Sequence, residues 1–183
     1  MDFDTALRFL SDRGADEPEH NSAASLLEHI VGTYDVVRAW NAERPAMSAA
    51  LFHSVYGTQN FRTAVVGPAE RDAVRAVIGE RAERLAFLFC SIDFRSLYDA
   101  AERSAVERFA TATLTDWRGG PAHEVSLDEV AVLVNLALAN AVEQLPRDDR
   151  TMRRDLPQIR RAWHLVWPAA KDDPRVRALA ALA

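Results

Sequence analysis

The chain has 183 residues, 49% apolar and 27% charged, the make-up of one folded domain or of one domain with a small appendage. Its 22 Lys and Arg against 27 Asp and Glu leave a formal charge of −5, which argues against a nucleic-acid coat or a polybasic membrane binder. One cysteine, Cys90, excludes a disulfide framework and a cysteine-based zinc site. The basic residues are almost all arginine, Lys171 being the sole lysine, so arginine is the default surface charge and carries no functional reading. Met1-Asp2-Phe3-Asp4 lacks a basic stretch followed by an apolar one, and no run is apolar for long enough to cross a bilayer. No leader and no membrane span are expected, and the expected location is the cytoplasm.

Glycine is scarce and apolar residues recur at helical spacing. Phe3, Leu7 and Leu10 predict a first helix over 3–12, stopped by Gly14. Ser25 and Glu28 form a capping-box pattern ahead of a helix carrying Leu26, Ile30, Tyr34, Val37 and Trp40. Pro45 suits the first turn of a third helix, 45–55, ended by Gly57. Pro68 starts a helix over 68–78, and an apolar helix follows over 80–91. The stretch 96–117 is mixed. Tyr98, Ala101, Ala105 and Phe109 have helical spacing, whereas Thr111 to Thr115 disfavours a helix. Gly119-Gly120-Pro121 is a break, and Ser126 with Glu129 caps a helix over 127–145 that is apolar nearly all round, as suits the middle of a bundle. A charged linker, Arg147 to Arg150, precedes a helical hairpin, 156–168 and 174–182, with Trp163 and Trp167 on one face. The expected architecture is all-α, eight or nine helices, with a helical domain over 1–146 and a C-terminal hairpin over 147–183 packed on it.

Two of the five histidines stand in apolar helical surroundings, His29 in Leu26 to Tyr34 and His53 at the end of Ala49 to Thr58. A buried imidazole wants a partner on each nitrogen. A metal is one such partner; a carbonyl or hydroxyl in the core is another, and the residues alone leave both open.

A mid-helix His, about two dozen residues, then Ala49-Ala50-Leu51-Phe52-His53-Ser54 resembles the core of the HD-domain metallophosphohydrolases. Leu51-Phe52-His53-Ser54-Val55-Tyr56-Gly57-Thr58, Ile78-Gly79-Glu80-Arg81-Ala82-Glu83-Arg84-Leu85 and Leu138-Ala139-Asn140-Ala141-Val142-Glu143-Gln144 more closely resemble a bacterial family of small HD-like proteins. That resemblance spans about 15–145 and implies an HD-like helical bundle. It also implies that His29 and His53 match the first His and the doublet His of the metal pattern, with Asp93 or the later Glu143 as the carboxylate. Ser54 replaces the doublet Asp, and a neutral hydroxyl cannot bridge two metal ions. One divalent metal, Zn, Fe or Mn, is the expectation that remains.

The expected catalytic set is therefore His29, His53 and Glu143, and the expected metal ligands are His29, His53 and Asp93. His20, Tyr56, Thr58 and Asn140 are the expected ligand contacts. Each has a plainer reading: a solvated loop for His20, a helix C-cap for the Tyr56-Gly57-Thr58 segment, a helix-end ion pair for Asp93 with Arg95. There is no G-x-S-x-G elbow, Walker loop, G-x-G-x-x-G or H-E-x-x-H. Two functions follow. One is a divergent HD-like enzyme acting on a small polar or anionic metabolite, by metal-dependent phosphoester hydrolysis or a related reaction. The other is an inactive HD scaffold that binds a ligand or a protein partner. No nucleic-acid or membrane partner is expected. A homodimer covering the apolar tail Val176 to Leu182 is.

Overall fold

The computed structural model describes residues 1–17, 19, 20, 24–107, 109–147 and 150–167. It is mostly helical, as expected, with eight α-helices among the described residues. None of these helices is long and apolar enough to cross a membrane. The chain divides into two compact units, Met1–Ser91 and Ile92–Ala183. The expected boundary at 146 falls inside the second unit, ahead of its last described helix.

The first unit runs α1 (Phe3–Ser11), a short antiparallel hairpin of β1 (Glu19–His20) and β2 (Ala24–Ser25), α2 (Leu26–Ala39), α3 (Arg44–Leu51), α4 (Arg71–Ile78) and α5 (Glu80–Ser91). Asp2 caps α1 through the Thr5 amide at 3.1 Å. The Ser25 hydroxyl accepts from the Glu28 amide at 3.1 Å and the Glu28 carboxylate accepts from the Ser25 amide at 2.9 Å, so the predicted capping box starts α2. Leu26, His29, Ile30, Thr33 and Val37 form the buried stripe of α2. The buried face of α3 is made of small residues, Ala46, Ser48, Ala49 and Ala50, ending at Leu51. Small side chains let neighbouring backbones approach, and α3 packs against both α2 and α5.

Helix α3 stops four residues before the expected Val55. The Phe52 amide turns back to the Ala49 carbonyl at 3.0 Å, and tight turns follow at Val55 and Gly57. The physical cause lies elsewhere in the chain. The Val55 carbonyl accepts from the Val65 and Val66 amides at 2.9 and 3.1 Å, and a continuing helix could not make these bonds. His53 therefore sits on a buried turn beyond the helix, in a stretch, Leu51 to Thr58, that is buried throughout.

The second unit runs α6 (Phe94–Ser104), β3 (Thr111–Leu114), β4 (His123–Ser126), α7 (Leu127–Gln144) and α8 (Arg150–Val166). The threonine-rich run is a strand. It pairs antiparallel with β4 in the register Thr111 to Ser126 and Leu114 to His123, burying Ala112 and Leu114 on one side. Gly119-Gly120-Pro121 forms the loop between the strands. Helix α8 begins six residues before the expected 156 and packs on α6 and α7. Trp163 donates its indole N–H to the Asn135 side chain at 3.2 Å, and Trp167 donates to the Ala131 carbonyl at 3.0 Å. The expected helix 174–182 and the tail Val176 to Leu182 lie outside the described residues.

Gly57 and Gly119 both have positive φ, +72° and +78°. A β-carbon at Gly57 would lie 2.8 Å from the Arg62 carbonyl oxygen, whereas one at Gly119 would meet nothing within 4 Å. Gly119→Ala should therefore cost only the backbone term, about 1–2 kcal/mol. Gly57→Ala adds a clash with backbone and should cost about 2–5 kcal/mol. Chemical denaturation of the two variants checks the difference, and equal losses would contradict it.

Candidate functional site

The first unit brings the two singled-out histidines together. His29 is fully buried because the apolar stripe of α2 carries it, and His53 is 1% exposed on the turn after α3. Their Nε2 atoms are 2.9 Å apart, a direct hydrogen bond, with ring centroids at 4.8 Å and planes at 70°. His53 Nδ1 stands 2.6 Å from the Ala50 carbonyl oxygen, and its ring meets Phe89 edge-on at 5.4 Å.

These contacts determine the tautomers. A carbonyl oxygen can only accept, so in the neutral pair His53 carries its hydrogen on Nδ1 and leaves Nε2 as a bare lone pair. His29 must then supply the hydrogen of the shared bond from its own Nε2. The backbone of His53 is held as well, since the Cys90 thiol donates to the His53 carbonyl at 3.0 Å. Ser54, in the position of the missing doublet Asp, is 2% exposed.

Tyr56 and Thr58, expected to face a ligand, are engaged within the unit. The Tyr56 hydroxyl donates to Glu83 at 3.1 Å. The Thr58 hydroxyl accepts from the Phe61 amide at 3.0 Å and closes its own turn. His20 lies in β1, and its side chain is outside the described residues. Asp93, Asn140 and Glu143 belong to the second unit. Asp93 is the N-cap of α6, accepting from the Arg95 amide at 2.8 Å and the Ser96 amide at 3.4 Å, so Arg95 meets it through its backbone. Asn140 accepts from the Gln144 side chain at 2.6 Å, while Glu143 is half-buried on α7. Among the described residues no group of three or more His, Cys, Asp or Glu is placed to hold a metal.

Glu83 stands in the stretch Ile78 to Leu85, where its neighbours in sequence point to no role. It is a fully buried carboxylate on α5. Arg71 grips it with two bonds, Nε at 2.6 Å and Nη2 at 2.9 Å, and Arg75 Nε adds a third at 3.0 Å. The Arg71 guanidinium also stacks 3.6 Å above the Phe87 ring, whose face Tyr56 meets edge-on. The one sequence signal was the spacing of Arg71 and Arg75, four apart and hence on one face of α4.

Burial is the largest influence on the Glu83 carboxyl and pushes its pKa up, but the hydrogen bonds and charges of Arg71 and Arg75, with the Tyr56 hydroxyl, outweigh it and hold the group below its ordinary 4.5. Burial first, and the Glu83 charge second, push the Tyr56 phenol far above its ordinary 10, so it stays a donor. A carboxylate depressed on folding stabilises the native state fully above its unfolded pKa. That stability is lost as pH falls through the folded value. Stability should therefore hold above about pH 5 and decline as pH falls through and below the ordinary carboxylate range. Glu83→Gln should be less stable at neutral pH and show a shallower acid decline. Urea titrations from neutral to acid pH check this, and parallel curves for the two proteins would refute it.

Residues 9–94 match the family model described as a domain of unknown function (DUF6817). The matched stretch covers most of the first unit and includes His29, His53 and Glu83. No curated protein and no solved structure matches the chain.

Proposed function

We propose that the chain is a non-hydrolytic protein of the HD-like class, a helical binding module for a small polar or anionic metabolite, in which two imidazoles share a hydrogen where the hydrolases hold metal. The observation that carries this reading is the 2.9 Å between the Nε2 atoms. Two nitrogens bound at 2.0–2.1 Å to one tetrahedral ion lie roughly 3.3 Å apart, whereas 2.9 Å is the length of an N–H to N hydrogen bond. The donor set agrees with it. Ser54 supplies no bridging charge, and the described residues place no third ligand beside the pair. Both observations support a pair that works without a metal. The metabolite rests on the resemblance.

One observation favours the other reading, a divergent enzyme with a single metal. A metal-bound imidazole characteristically donates its second N–H to a carbonyl, as His53 does to Ala50. Opening the pair by a few tenths of an ångström would bring the nitrogens to metal-binding separation.

Metal analysis of tag-free protein, with assay of a simple nitrophenyl phosphodiester, separates the two. The binding-module reading expects metal well below one ion per chain, no turnover above background, and no change in either for His29→Ala or His53→Ala. Each substitution should cost about 1–3 kcal/mol, because it strands a buried imidazole nitrogen. A stoichiometric transition metal that both substitutions remove would establish the enzyme instead.

A further inference from the structure

The turn that carries His53 is tied to α5 and α4 by a charged network lying outside the histidine pair. We infer that Glu83, anchored by Arg71 and Arg75, is a positioning residue for the His29–His53 pair, acting through the Tyr56 hydroxyl on the turn that presents His53. This rests on the reading that the two imidazoles share one hydrogen.

The path is short. Arg71 and Arg75 hold both oxygens of Glu83, at 2.6, 2.9 and 3.0 Å, so the carboxylate has little freedom on α5. Tyr56 donates to Glu83 Oε1 at 3.1 Å, and its ring rests against Phe87, one helical turn further along α5. Tyr56 stands three residues after His53 on the same buried turn. Further along α5, Cys90 holds the His53 carbonyl itself. The turn is thus fastened to one helix at both ends of the segment His53 to Tyr56.

Position matters because the shared bond tolerates little movement. An N–H to N contact of 2.9 Å passes out of the normal hydrogen-bond range if the turn recedes by roughly half an ångström. His29 cannot follow, since it is carried by the buried stripe of a capped helix. A charged clamp is also a directional one. Two guanidiniums fix where the carboxylate oxygens lie, and the phenol must go to them. The other ties of the turn, from Val65, Val66 and Cys90, reach its backbone, whereas the phenol ties it through a side chain.

Histidine ring spectra test this, using long-range proton–nitrogen NMR on the full chain. In the unsubstituted protein His53 should show a protonated Nδ1, and His29 a protonated Nε2 whose hydrogen exchanges slowly with water. Tyr56→Phe removes one hydroxyl and keeps the ring against Phe87, so it should remain folded. In it the shared hydrogen should exchange at least about tenfold faster, and the ring nitrogen shifts should move towards the average of the two tautomers. Glu83→Gln should change them in the same direction. If Tyr56→Phe leaves the ring shifts and exchange rate as they were, whatever happens to thermal stability, Glu83 and Tyr56 are packing residues and the inference fails. If the unsubstituted protein itself lacks the two distinct tautomers, the shared hydrogen is absent, and the reading of the pair falls together with the inference. The two failures are therefore told apart by which protein shows them.

Discussion

A single hydrogen lying between two buried imidazole nitrogens sets the terms for the first unit. Both rings are buried from solvent, so each takes its partner from the protein. The Ala50 carbonyl takes one nitrogen of His53 and thereby decides which nitrogen of His29 must bear a hydrogen. Helix α2 therefore cannot rotate, nor the turn after α3 shift, without stranding a polar atom in hydrocarbon. The alanine face of α3 belongs to the same arrangement, because it keeps bulk out of the contact between α2 and α3.

The unit buries polarity in two different ways. The imidazole pair, in its neutral form, asks only for direction. Glu83 is charged, and a lone carboxylate at that depth would be driven to take up a proton. Two guanidiniums and a phenol supply the compensation, and because Arg71 and Arg75 reach partly into solvent, the positive charges are not fully desolvated with it. Part of the desolvation that makes buried ion pairs costly is avoided in this way.

What the residues announced in advance was whatever depends on neighbours in sequence. Ser25 with Glu28 and Ser126 with Glu129 marked helix starts, and both boxes form. The apolar spacing around His29 marked it as inward-facing, which made a meeting with His53 a reasonable expectation. The misses all depend on distant partners. Helix α3 is cut short by Val65 and Val66, some fourteen residues beyond its end. The threonine run becomes a strand because β4 offers it a register. Glu83 reads like any glutamate on an amphipathic helix until Arg71 and Arg75 are placed around it.

The serines that open α2 and α7 have a second employment: each is also the last residue of a strand, Ser25 in β2 and Ser126 in β4. The end of a hairpin is thus the beginning of a long helix, with no linker to absorb an error. Strands repeat every two residues and helices turn about 100° per residue. A one-residue slip of β4 against β3 would therefore swing α7 by more than a quarter of a revolution and take buried residues such as Val130, Leu133, Val134 and Ala137 out of register with the side chains they pack against. Ladder and cylinder are geared together, and insertions should be far better tolerated in the loop around Gly119 than at the junction where Ser126 meshes the two.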